Sequence, residues 1–252
     1  MRLSQGYIAN DKTALSSVQR AIQSSKNVKR LHLCVDVYGC AHYRYSTDFS
    51  DNGETFPPLE ELVLEWFCIT QSCGKYWLKA MDWSHLRVLD LREGSFSSAF
   101  LSLLLPVADK LPALGSLGLH LPAEGDVREQ RNNPDSSLSL TKRLLSTARP
   151  QSLLDLRFQG YYRPLLQDII DHQAASLKSL SLHEIEVSTE GDQRIPLSLE
   201  ELEEIGTKSP GLEALALDVN ISKEHTWVSM HLGFYYTILI LHSESRKLFL
   251  ML

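Results

Sequence analysis

Cys34, Cys40, Cys68 and Cys73 are the residues of this chain whose types and spacing come nearest to a reactive constellation. A structural zinc needs thiolates aimed at one point, which the short C-x2-C knuckle provides. The spacings here are C-x5-C and C-x4-C, so free thiols are expected and no metal. His42 stands two residues from Cys40, but a nucleophilic thiol also needs a group that orients its base, and none is evident. G-x-S-x-G, a phosphate-binding Gly loop and H-E-x-x-H are all missing from the sequence. The acids Glu200-Glu201, Glu203-Glu204 and Asp168/Asp171 fall on helix-patterned stretches and read as solvated charge. The residues specify no reaction, so no catalytic residue and no cofactor are expected.

The elements that must position these side chains follow from a repeated pattern, apolar-x-x-Leu-x-apolar. It occurs at Val28–Leu33, Leu59–Leu64, Leu86–Leu91, Leu114–Leu119, Leu153–Phe158, Leu177–Leu182 and Leu212–Leu217. The first positions lie 31, 27, 28, 39, 24 and 35 residues apart. A series of this length is a leucine-rich-repeat signature. The expected fold is α/β: a leucine-rich-repeat solenoid of about seven irregular repeats, with a parallel sheet on the concave face and helices on the convex face. Each repeat supplies a strand whose Leu positions face in. Return helices are expected at Lys12–Ser25, Ser98–Lys110, Ser137–Ala148, Pro164–Ala175 and Leu199–Lys208, with Pro106 kinking or splitting the second. Trp66, Trp77 and Trp83 read as structural residues that close gaps between unequal repeats.

The 252 residues carry 43% hydrophobic and 22% charged side chains and a net charge of −6, an ordinary globular composition. The acidic balance argues against nucleic-acid binding, which usually shows a basic face. No secretory signal is visible. The longest apolar stretch, Leu232–Leu241, has ten residues, about half of the roughly 20 that span a bilayer. Unpaired cysteine spacing suits a reducing cytosol or nucleus.

Three polar insertions, Asp36–Pro58, His120–Ser136 and Glu184–Pro196, each follow a strand and precede its return segment. Such a placement puts them on one rim, where loops carry recognition or simply drift. The outward strand positions include Arg30, Glu61, Glu65, Asp90, Arg92, Arg157, His183 and Asp218. Side-by-side placement pairs Arg30 with Glu61, Glu65 with Arg92, and His183 with Asp218, either to stabilise the ladder or to offer a polar face to a protein. Ser116, Gly118, Ser179 and Ser181 leave the middle of that face small and uncharged. Asp90, Arg92, Arg157 and Tyr161 are the expected partner contacts, with Tyr161 and Tyr162 serving contact or core packing.

Ala80-Met-Asp-Trp-Ser-His-Leu-Arg-Val-Leu-Asp-Leu91, Leu59-Glu-Glu-Leu-Val-Leu-Glu-Trp66 and Leu197–Asp218 resemble the repeat region of filamentous-fungal F-box proteins. The resemblance covers about residues 28–227. It implies a protein-binding module, the substrate-recognition half of a ubiquitin-ligase receptor, whose separate F-box would bind a cullin adaptor. Residues 1–27 contain no Leu-Pro-x-Glu start of an F-box, so only target capture carries over. The alternatives are a leucine-rich regulator of another enzyme, such as a GTPase, or a truncated, non-functional gene product. A GTPase activator of this fold usually carries a strong acidic tail and very regular repeats, and this chain has neither.

The expected organisation is an N-terminal helical cap or remnant over 1–27, the repeats over 28–227, and an atypical apolar tail over 228–252. The tail has no anchor motif and no polar cap of the kind solenoid ends need. Val228-Ser229 is encodable as GTAAGT, a common intron donor. The tail is thus either translated intron or a terminal strand pair or helix packing on the seventh repeat.

Overall fold

The computed structural model describes residues 2–5, 12–35, 53–65, 71–92, 98–121, 136–147, 152–184, 197–218 and 247–251. Of the three insertions, 36–52, 122–135 and 185–196 lie outside the described residues, as do Trp66, Cys40, His42, Cys68 and 219–246.

The chain is α/β, built on one all-parallel sheet. Its strands are β1 (Arg2–Gln5), β2 (Arg30–Val35), β3 (Glu61–Glu65), β4 (Val88–Leu91), β5 (Ser116–Leu121), β6 (Asp155–Gly160), β7 (Ser179–His183), β8 (Ala214–Asp218) and β9 (Lys247–Met251). Their spatial order is their sequence order, so every connection returns to lie beside the strand just left. β1 and β9 extend the sheet beyond the seven anchor-bearing strands. β9 pairs with β8 in the register that sets Leu248 beside Leu215.

The second apolar position of each motif lines up across the sheet, as Leu31, Leu62, Leu89, Leu117, Leu156, Leu180 and Leu215. All seven are buried, and each contributes about 1.5–3 kcal/mol by leaving water. Two recurring backbone devices impose this register. First, the carbonyl of the residue preceding one strand accepts two successive N–H groups at the start of the next. Lys29 receives Glu60 and Glu61, Glu60 receives Arg87 and Val88, and Arg87 receives Gly115 and Ser116. Gly115, Leu154 and Lys178 continue the series. Second, the motif's leading residue closes a tight turn. Val28, Leu86, Leu114, Leu177 and Leu212 each donate to the carbonyl three residues back, at 3.0–3.3 Å. Pro112 and Pro210 occupy the second position of two such turns, where their fixed φ is already correct.

The helices are α1 (Lys12–Ser24), α2 (Gln71–Ala80), α3 (Ser98–Leu104), α4 (Ser137–Thr147), α5 (Leu166–His172) and α6 (Leu199–Lys208). Leu and Ile side chains from these returns join the anchor leucines in one core. At Pro106 the α-helix gives way to a 3-10 turn over Leu105–Lys110, because proline offers no N–H for the helical ladder. Gln173 caps α5 and its side-chain amide donates to the Leu145 carbonyl at 2.8 Å, tying α4 to α5. α6 opens on a capping box, Ser198 and Glu201 satisfying each other's backbone N–H. Glu201 also pairs with Arg163. This corrects its reading as solvated charge: burial pushes its carboxyl up, but the Ser198 N–H and Arg163 outweigh that and hold it below its ordinary pKa.

α2 was not expected from the sequence, since polar residues and Gly74 obscure its period. It is held by aromatic packing. Phe56 meets Trp77 at 4.9 Å and Tyr76 edge-on at 5.6 Å. Trp77 is fully buried, and Trp83 lies 6.5 Å from Phe100, in agreement with a structural role for both. Gln19 and Gln23 of α1 donate to the Tyr76 hydroxyl at 2.9 and 2.7 Å.

Truncating the central anchor, Leu180→Ala, is expected to cost about 2–5 kcal/mol. Urea unfolding followed by circular dichroism measures it, and a loss below about 1 kcal/mol would show that Leu180 is not packed as described.

Candidate functional site on the open sheet face

Strand alternation puts the leucines against the helices and the intervening side chains on the other face, most of them half-buried and Val63 and Asp90 buried. β6, β7 and β8 show this as strict alternation of half-buried and buried residues. The strand register sets Asp90, Gly118, Arg157 and Ser181 in one lateral row. Asp90 and Arg157 are therefore two strand spacings apart, about 10 Å between backbones. Their side chains nevertheless meet, with Arg157 Nη1 3.6 Å from Asp90 Oδ2.

Gly118 makes that reach possible. A Cβ built on Gly118 would lie 2.9 Å from Asp90 Cγ and closer still to Oδ1, so the carboxylate lies in the space a side chain would occupy. From the other side, Arg92 Nε donates to Asp90 Oδ2 at 2.9 Å. Asp90 is only 6% exposed, and two guanidinium groups compensate its charge, as a buried carboxylate requires. For Arg92, burial opposes the charge. The hydrogen bond to Asp90 and the nearby Asp90 and Glu65 carboxylates outweigh it and raise the pKa above its ordinary value.

Each arginine also has an outer carboxylate. Arg92 Nη1 lies 3.6 Å from Glu65, and Arg157 Nε lies 3.2 Å from Asp155. Arg157 Nη2 donates to Ser116 Oγ at 3.5 Å, and Ser116 in turn donates to Asp155. Across the face, His183 Nδ1 stands 2.7 Å from Asp218 Oδ1, and Asp218 also accepts the Glu184 N–H at 2.6 Å. The carboxylate only accepts, so His183 carries a proton on Nδ1.

Between these groups is an open depression of about 430 Å³. Its lining includes Gly118 and Ser181 together with Arg92, Arg157, His120, Gln159 and His183. The structure thus brings Asp90, Arg92 and Arg157 together in one cluster. Tyr161 is half-buried just past the end of β6 and does not line the depression. Tyr162 is buried in the core, and that burial pushes its phenol up to about 12. The expected lateral pairs Arg30–Glu61 at 3.4 Å, Glu65–Arg92 and His183–Asp218 all form.

The long-range Asp90–Arg157 contact and the His32–Glu65 pair at 3.1 Å were missed. The available signal was a glycine at the open-face step between an Asp and an Arg of adjacent repeats. Cys34 is half-buried and in no disulfide among the described residues, and Cys73 lies in α2. Among the described residues no group of His, Cys, Asp and Glu could hold a metal ion, and no helix is long and apolar enough to cross a membrane. No protein-family model, no curated protein and no solved structure matches the chain.

Gly118→Ala is expected to destabilise the fold by about 1–3 kcal/mol through overpacking against Asp90. In an Asp90→Ala background the same substitution should cost much less. A double-mutant cycle by chemical denaturation measures the coupling, and additive costs would exclude the contact.

Proposed function

We propose that this chain is a leucine-rich-repeat module that captures a protein partner on its open sheet face and performs no chemistry of its own. Such a module corresponds in role to the substrate-recognition repeats of an F-box ubiquitin-ligase receptor. The in-register anchors and the strand order support the repeat reading. The observation that carries the functional one is the depression, whose lining includes polar side chains already held by carboxylates. Asp90 holds Arg92 and Arg157, and Asp218 holds His183. Side chains immobilised before binding lose less entropy when a partner arrives, which favours recognition. The small residues Gly118 and Ser181 in the lining leave room for a partner's side chains. The ion pairs also support the ladder, and the two roles are compatible.

The test is affinity purification of the tagged chain from a fungal lysate, with mass spectrometry of what it retains, repeated with Arg157→Glu. A retained protein whose recovery falls at least about tenfold on the folded variant supports capture by this face, a loss equivalent to one charge-assisted contact. Recovery of nothing, or equal recovery by both forms, counts against it. A cullin adaptor among the retained proteins would assign the ligase role, and a small GTPase the regulator role.

A further inference from the structure

We infer that the depression between β4 and β7 takes an acidic side chain of an extended peptide. This rests on the protein-capture reading and names the chemistry of the captured segment. The argument is one of local charge. The ionisable groups lining the depression are Asp90, Arg92, His120, Arg157 and His183. Two guanidinium groups and two imidazoles thus face one carboxylate, in a chain whose net charge is −6. That carboxylate is itself buried between the two arginines, so the surface it leaves to a visitor is theirs.

The remaining acids are set back. Glu65, Asp155 and Asp218 each pair with a lining residue but do not line the depression themselves. They hold Arg92, Arg157 and His183 from outside the lining. Arg92 and Arg157 are less than half exposed, at 44% and 43% of their side chains, so each keeps surface for a further hydrogen bond. Gln159 and Ser181 add neutral donors to the lining. A carboxylate entering here would meet planar guanidinium groups, the best geometric match for it.

The surrounding acids also limit what the carboxylate is attached to. Glu65, Asp155, Asp218 and the net charge would repel a continuous phosphate backbone, which needs several neutralised contacts in a row. A single acidic residue on a peptide places its charge in the depression and keeps neutral backbone over the acidic surround. The site therefore fits an acidic peptide rather than a nucleic acid.

Fluorescence anisotropy of labelled hexapeptides with the full chain at low salt tests this. A glycine hexapeptide carrying one central glutamate is expected to bind at least about tenfold tighter than the same peptide with glutamine, a gain equivalent to one charge-assisted hydrogen bond, and the version with lysine is expected not to bind. Gln159→Glu and Ser181→Asp each add a negative charge to the lining and leave Asp90, Arg92 and Arg157 in place, Ser181 standing beside Arg157 in the strand register. Each should weaken the glutamate peptide by about tenfold or more while circular dichroism and melting temperature stay as in the parent. Equal affinity for the glutamate and glutamine peptides would overturn the inference. So would unchanged binding by both variants, or a single-stranded hexanucleotide that binds tighter than the glutamate peptide. If Arg157→Glu loses its purified partner while the peptides show no charge preference, this inference alone fails. If the glutamate peptide binds but no protein is captured, the capture reading alone fails.

Discussion

The shared carbonyl at the head of each strand is the constraint from which the rest of the structure follows. Two successive N–H groups bind the carbonyl that precedes the strand before, at Lys29, Glu60, Arg87, Gly115, Leu154 and Lys178 in turn. A strand so fixed cannot slip by one residue. Slippage would turn each leucine to solvent and drive Asp90, Arg157 and Asp218 into the helices. The core and the polar face therefore share one cause. The leucine row is buried because the register is fixed, and the register is stable because every alternative exposes that row.

Within that register, Gly118 decides the character of the open face. In a row of side chains spaced one strand apart, charges normally interact with immediate neighbours. Removing one side chain from the row lets Asp90 lean across and join Arg157 to Arg92. A buried carboxylate costs several kcal/mol without such partners, so the two arginines are tied to it. The same glycine is part of the lining of the depression. A single small residue thus links the clamp to the space beside it.

Around the connection from β3 to β4 bulky aromatic side chains fill the core: Phe56, Tyr76, Trp77, Trp83 and Phe100 pack there beside the leucines. Gly160 serves the opposite need. Its φ of 103° is a left-handed conformation, and a Cβ there would stand 2.8 Å from the Leu121 carbonyl carbon. Only glycine lets the end of β6 run that close to the end of β5.

The strands, their parallel order and the buried leucines were legible in the sequence, because an anchor recurring with local hydrophobic alternation is a one-dimensional signal. So were Pro106 as a break and the three nearest-neighbour charge pairs, since register follows directly from the anchors. α2 was not legible, because its few inward aromatics make no period that Gly74 and the polar residues leave visible. Strand β1 was not either, since pairing with an existing sheet edge can recruit segments that lack the motif; for the tail a strand on the seventh repeat was one of the open readings, and β9 pairs there with β8. The depression and the Asp90–Arg157 contact belong to tertiary structure alone. They depend on which way a carboxylate leans over a neighbouring strand, and side-chain direction across a gap is decided by space that only the assembled sheet defines.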